Sequence, residues 1–135
     1  MTASNRGTPV VVGIGPVSAD DVVRVARNEA PVEIADDALD AIASSRRRIE
    51  ALADDPTPAY GISTGFGALA TRHIPHDLRT KLQRSLIRSH AAGSGPEVER
   101  EVVRAMMLLR LSTLATGRTG VRPEVAKAYA GVLSA

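Results

Sequence analysis

The 135-residue chain has no cysteine, which excludes disulfide bridges and thiolate metal ligands and agrees with a reducing compartment. It has no tryptophan, two tyrosines and one phenylalanine, so its core must be built from aliphatic side chains. Lysine is almost missing too, with 15 of the 17 basic residues being arginine. These sit beside 15 acids for a net charge of +2, a mixed surface without a single-sign field. The one basic run, Arg46-Arg47-Arg48, has acid-bearing segments on both sides and no aromatic neighbour on which a base could stack. It reads as a solvated helix face or a subunit contact, and no nucleic-acid partner is expected. No apolar run approaches the roughly 20 residues that cross a bilayer, and mean hydropathy is −0.03, so no membrane partner is expected. The opening MTASNRGTPVVVGIG has neither an h-region nor a transit-peptide composition. A cytoplasmic location is expected.

Present instead are helical patterns with clear punctuation. Val10 to Ile14 reads as a short strand closed by Gly13, Gly15 and Pro16, and Pro31 to Ala35 as a second extended piece. Between them Ser18 and Asp21 predict a capped helix through about Asn28, with Val22, Val25 and Ala26 on one face. Leu39, Ile42, Ile49 and Leu52 predict a helix from Asp36 or Asp37 to Ala53, ended by Asp54-Asp55-Pro56-Thr57-Pro58. Asp77 opens a further helix to about His90, with Leu78, Leu82 and Leu86 at four-residue spacing. Pro96 suits the first turn of the next helix. That helix continues as VVRAMMLLRLSTLA, apolar on most faces, and ends at Gly117 as its C′ residue. Pro123 starts a last helix whose Val125, Ala128, Tyr129, Val132 and Leu133 fit one stripe. The expected class is mainly α with short β segments near the N-terminus. The apolar helix exceeds what so small a domain covers, and the sequence stops at Ser134-Ala135 without a tail signal. Both features suggest a piece of a larger helical assembly.

The chemistry concentrates in Tyr60-Gly61-Ile62-Ser63-Thr64-Gly65-Phe66-Gly67, which holds two of the three aromatic residues among three glycines. Glycine permits close backbone approach to a ligand, so the loop can present a phenol able to move a proton. Equally, Tyr60 and Phe66 can simply anchor the loop in the core. A phosphate loop is excluded because no Gly-Lys-Ser/Thr follows. A nucleophile elbow is excluded because Ser63 is one position off centre, and Gly13-Ile14-Gly15 lacks the third glycine of a dinucleotide fingerprint. His73 and His76 form an H-x-x-H pair broken by Pro75 with no third ligand nearby, so no metal is expected. His90 lies at an expected helix C-terminus, where the helix dipole favours positive charge. It is either a cap or a functional imidazole.

Taken with Leu82 to Leu86, the Ser89-His90-Ala91-Ala92-Gly93 loop and Gly120-Val121-Arg122-Pro123-Glu124, the YGISTGFG loop resembles the N-terminal part of the aromatic amino acid ammonia-lyases, in their order and approximate spacing. The histidine-specific branch is the nearest in pattern. Phenylalanine- and tyrosine-specific members resemble aromatic-Leu and His-Leu pairs where this chain has Ser89-His90. The resemblance runs from about Val10 onward and implies that residues 1–135 are the N-terminal helical domain of a large helical-bundle lyase, a cytoplasmic homotetramer. It implies elimination of ammonia from L-histidine to give trans-urocanate. Tyr60 would be the catalytic loop tyrosine. His90, Ser89 and Gly67 would bind substrate, with Gly61, Gly65 and Gly67 letting the loop fold and Phe66 pinning it. The family's electrophile is a methylidene-imidazolone prosthetic group formed from an internal Ala-Ser-Gly, with no external cofactor. No Ala-Ser-Gly occurs in these residues, so the chain alone is expected to be inactive and to depend on the remainder of the lyase chain and its homo-oligomer subunits. The other readings left open are a non-catalytic helical interaction or oligomerisation module and a lyase for tyrosine or another amino acid.

Overall fold

A computed structural model describes residues 7–135. The reading of the N-terminus as free of a leader bears partly on residues 1–6, which lie outside the described residues. The chain divides into two compact units, one formed by residues 7–47 with 98–135 and the other by residues 48–97.

In the first unit, β1 (Val10–Val12) and β2 (Val32–Ile34) pair in parallel, Val10 opposite Val32 and Val12 opposite Ile34. The intervening α1 (Ala19–Ala26) makes the crossover that parallel strands require. Val10 and Val12 are buried while Val11 is 60% exposed, the alternation that a pleated strand imposes. The strand expected to reach Ile14 stops at Val12. Its last carbonyl takes the Ala35 N–H at 3.0 Å, and the chain then turns into α2 (Asp36–Asp54), leaving Gly13 and Ile14 nothing to pair with.

Helix α1 begins as its sequence predicts. Asp21 N–H donates to the Ser18 hydroxyl oxygen at 3.1 Å, while the Asp21 carboxylate accepts the Ser18 hydroxyl at 2.7 Å and its N–H at 3.2 Å. These Ser18 bonds, with Arg24 adding to them, hold the Asp21 carboxyl below its usual 3.8. A depressed carboxylate contributes stability above its unfolded value and loses it as pH falls through the folded one. Ser18→Ala is therefore expected to cost about 1 kcal/mol near neutrality. The gap to wild type should narrow as pH falls below 3.8, as paired thermal melts at about pH 7 and about pH 3 would show.

Helix α4 (Arg100–Ala115) contacts α1 and α5 (Pro123–Ser134), and α5 contacts β2. Leu108, Leu111, Ala115 and Leu133 join Ile42, Val12 and Val25 in one buried cluster. Each fully buried Val, Leu or Ile side chain there contributes about 1.5–3 kcal/mol. The buried face of α4 includes one charge: Arg104 is only 8% exposed. Its Nε donates to the Val25 carbonyl and its Nη2 to the Leu133 carbonyl, both at 2.9 Å. These carbonyls lie in the last turns of α1 and α5, where intrahelical donors run out and a cation meets the negative helix end. The opposite face of α4 leaves Val102, Val103, Met106 and Leu109 exposed, so the expectation of a helix buried all round holds on one side only within this chain.

Two further expectations are corrected. Helix α4 starts at Arg100, with Glu99 as N-cap, so Pro96 does not occupy its first turn. Gly95 at φ +96° directs the chain away from helix, and the first carbonyl to accept is that of Glu99, from Val102 and Val103 N–H. In α5 the buried stripe is Ala126, Ala130 and Leu133, whereas Val132 is 60% exposed. Of the expected stripe Leu133 is buried and Tyr129 packs against the core, while Val132 turns outward and Ala126 and Ala130 take the buried positions. Ser134 then latches β2, its hydroxyl accepting Val32 N–H at 2.9 Å and donating to Val32 C=O at 3.3 Å. Gly117 is the left-handed residue after α4, φ +68°, as expected. Of the basic run, Arg46 reaches the Gly120 carbonyl at 3.5 Å and Arg47 and Arg48 are exposed.

The second unit contains the end of α2, a loop with a 3-10 turn at Gly67–Leu69, and α3 (His76–His90). Asp55 accepts Thr57 N–H at 2.7 Å just past α2, a local turn that competes with helix continuation. Helix α3 buries no residue completely. Of its expected stripe, Leu82 and Leu86 are half-buried and Leu78 is exposed. No described helix is long and apolar enough to cross a membrane.

Candidate active site

Tyr60 stands in a loop whose backbone is held from inside. Ala59 N–H donates to the Ser63 hydroxyl oxygen at 2.9 Å, and Ser63 N–H returns to the Ala59 carbonyl at 3.0 Å. On the other side Gly61 N–H donates to the Thr64 hydroxyl oxygen at 3.2 Å, and that hydroxyl donates to the Gly65 carbonyl. Ser63 and Thr64 are buried, so the residues flanking Tyr60 are fixed while its own side chain is 67% exposed. Its ring meets Phe66 edge to face, centroids 6.2 Å apart at 83°. Among the described residues its hydroxyl makes no hydrogen bond. The loop therefore presents the phenol, and the core-anchor reading of Tyr60 fails because the ring is outside.

The glycines have distinct reasons. Gly61 has φ +70°, and a Cβ there would sit 3.1 Å from Phe66 Cε1. A Cβ on Gly65 would come within 2.5 Å of Leu69 Cβ. Gly67, φ +54°, opens the 3-10 turn with nothing within 4 Å of where a Cβ would stand, so its backbone lies open.

The loop closes on itself through a short antiparallel bridge between Thr64 and His73, with Gly65 N–H to Arg72 C=O at 3.2 Å and Ile74 N–H to Ser63 C=O at 2.8 Å. His73 is thus part of the closure and His76 begins α3. Among the described residues no cluster of three or more His, Asp or Glu could hold a metal.

Ser89 and His90 end α3, both exposed. His90 Nδ1 lies 2.9 Å from the Leu86 carbonyl, which can only accept, so Nδ1 carries the proton. The Ser89 hydroxyl donates to the same carbonyl at 2.8 Å and leaves its lone pairs facing Nδ1 at 3.0 Å. Nε2 is left uncommitted. Ser89 thus touches His90, and the two pair; their hydrogen bonds and those of the Tyr60 loop stay within each group. Composition and spacing missed Ser63 and Thr64, which frame the loop, and Arg79, which joins it to α3. The only sequence signal for the first two was their place between the glycines.

Residues 17–135 match the model of the aromatic amino acid lyases, and the chain belongs to that family. Histidine ammonia-lyase from Streptomyces coelicolor is 60% identical over 126 residues, 93% of this chain and 25% of that protein. Ergothionase from Treponema denticola, an ergothioneine-degrading enzyme, has a TM-score of 0.89 at 32% identity over 93% of this chain and 25% of its own. Tyrosine aminomutase from Streptomyces globisporus has a TM-score of 0.87 at 33% identity, covering 94% and 24%. The mainly helical fold matches these solved structures. The chain spans about a quarter of the length of the curated relatives it matches.

Proposed function

We propose that this chain is the N-terminal segment of a histidine ammonia-lyase, a cytoplasmic homo-oligomer that eliminates ammonia from L-histidine to give trans-urocanate. The observation that supports the reading is the 60% identity, over 93% of the chain, to a histidine ammonia-lyase. In this reading Tyr60 moves a proton at the amino group or β-carbon of the substrate, the task for which an exposed, unbonded phenol on a fixed backbone is suited. His90 offers Nε2 to the substrate imidazole N–H, which buried without a partner would cost about 1–3 kcal/mol. Ser89 orients His90, and Gly67 leaves room for the substrate beside the loop.

The methylidene-imidazolone group, when present, supplies the electrophile. Its Ala-Ser-Gly precursor is outside these 135 residues, and a free phenol with an uncommitted imidazole nitrogen fits a reaction whose electrophile comes from another segment. The exposed apolar face of α4 at Val102, Val103, Met106 and Leu109 is read as a surface for the remaining lyase chain or another subunit. The test is to extend the coding sequence past Ala135, express the full chain and follow urocanate from L-histidine, with L-tyrosine in parallel. An Ala-Ser-Gly downstream and histidine turnover are expected, with none from the 135 residues alone. A preference for tyrosine, or a stop codon after Ala135, would overturn the reading and favour the other lyase or the interaction module.

A further inference from the structure

Among the described residues the two groups of the candidate site share no hydrogen bond of their own, and α3 buries no side chain completely, yet the Arg79 side chain ties α3 to the tyrosine loop. Arg79 Nη1 donates to the Ala53 carbonyl in the last turn of α2 at 2.8 Å, and its Nε donates to the Ile74 carbonyl at 3.1 Å. The other side of Ile74 is committed as well, its N–H donating to Ser63 C=O, and Ser63 is the residue that pins Ala59 beside Tyr60. One half-buried guanidinium therefore joins the end of α2, the closing bridge of the tyrosine loop and the first turns of α3.

We propose that Arg79 is a positioning residue that sets where Ser89-His90 stands relative to Tyr60. Its fork suits the task, since a planar guanidinium satisfies two carbonyls in fixed directions and a lysine ammonium does not. The lever is long. His90 lies 11 residues beyond Arg79, about 16 Å along the helix at 1.5 Å per residue. A tilt of about 10° at the clamp then displaces the imidazole by about 3 Å, and misplacement by about 1 Å can cost about 100-fold in rate. Helix packing resists such a tilt only weakly, because α3 packs through half-buried side chains such as Leu82 and Leu86 and has no fully buried one. The catalytic half of this inference rests on the proposed lyase reading; the structural half does not.

The test therefore has two arms. In the 135-residue chain, amide hydrogen exchange of Arg79→Met is expected to quicken at least tenfold at Gly65 and Ile74 and to stay unchanged at Val12 and Leu108. In the full-length lyase, Arg79→Met should lower kcat/KM for L-histidine at least tenfold, and Arg79→Lys should recover part of it. If Arg79→Met does not fold, Arg79→Lys gives the same loop readout with a smaller change. Unchanged exchange at Gly65 and Ile74, or equal quickening at Val12 and Leu108, would overturn the clamp. A full-length wild type inactive on histidine would sink the proposed function while the exchange arm still decided the role of Arg79.

Discussion

Gly117→Ala is expected to destabilise the first unit by about 2–5 kcal/mol, the sum of a left-handed backbone penalty and overpacking. Gly117 has φ +68°, where a side chain costs about 1–2 kcal/mol. The larger share comes from α2. A Cβ at Gly117 would stand 2.7 Å from Ala41 Cβ, 2.8 Å from Ala41 C and 2.9 Å from its carbonyl oxygen, and helix backbone cannot move aside as a side chain tip can. Adding Ala41→Gly to Gly117→Ala removes only the first contact, so most of the loss should persist. Gly67→Ala is the control, left-handed at φ +54° but with open space, and should cost only about 1–2 kcal/mol. Urea melts of the four proteins decide it. Full rescue by Ala41→Gly would show that the two backbones are not in contact as described.

In the full-length lyase, Tyr60→Phe should lower kcat by about 100- to 10,000-fold, the range that positioned proton transfer supplies. The substitution is a clean one structurally. The ring that meets Phe66 edge to face is retained, the loop is framed by Ser63 and Thr64 and not by the phenol, and the hydroxyl lost has no partner among the described residues. Thermal stability should therefore stay at the wild-type value. Turnover at the wild-type level would remove Tyr60 from the reaction, and a matching fall in stability would assign it to the loop's structure.

How much of this was legible in the sequence depends on the range of each interaction. The Ser18–Asp21 box and the left-handed Gly117 are decided within three or four residues, and both were read correctly. The α5 stripe was legible in part: Leu133 is buried and Tyr129 packs on the core as expected. Choosing its face by side-chain bulk also favoured Val132, whereas burial went to Ala126 and Ala130. Arg104 was hidden inside an apolar run, since its partners are carbonyls 79 and 29 residues away and a carbonyl has no sequence signature. Tyr60 stood out because aromatics are so scarce here, and the roles proposed for it and His90 come from the family resemblance alone. The hydroxyls that hold the loop, and the Arg79 reach of 26 residues to Ala53, needed the fold.

The Ser134 latch on Val32 sets an order in time during synthesis. The strand it closes leaves the ribosome 102 residues before the latch does, an interval of about 5–20 s at usual elongation rates. Throughout it the outer edge of β2 lacks this partner, and for the earlier part of it the Val25 carbonyl also awaits the guanidinium of Arg104, 79 residues on. The newborn chain therefore carries an unfinished strand pair, an open edge of the kind that recruits foreign strands, until its last helix arrives to cover it.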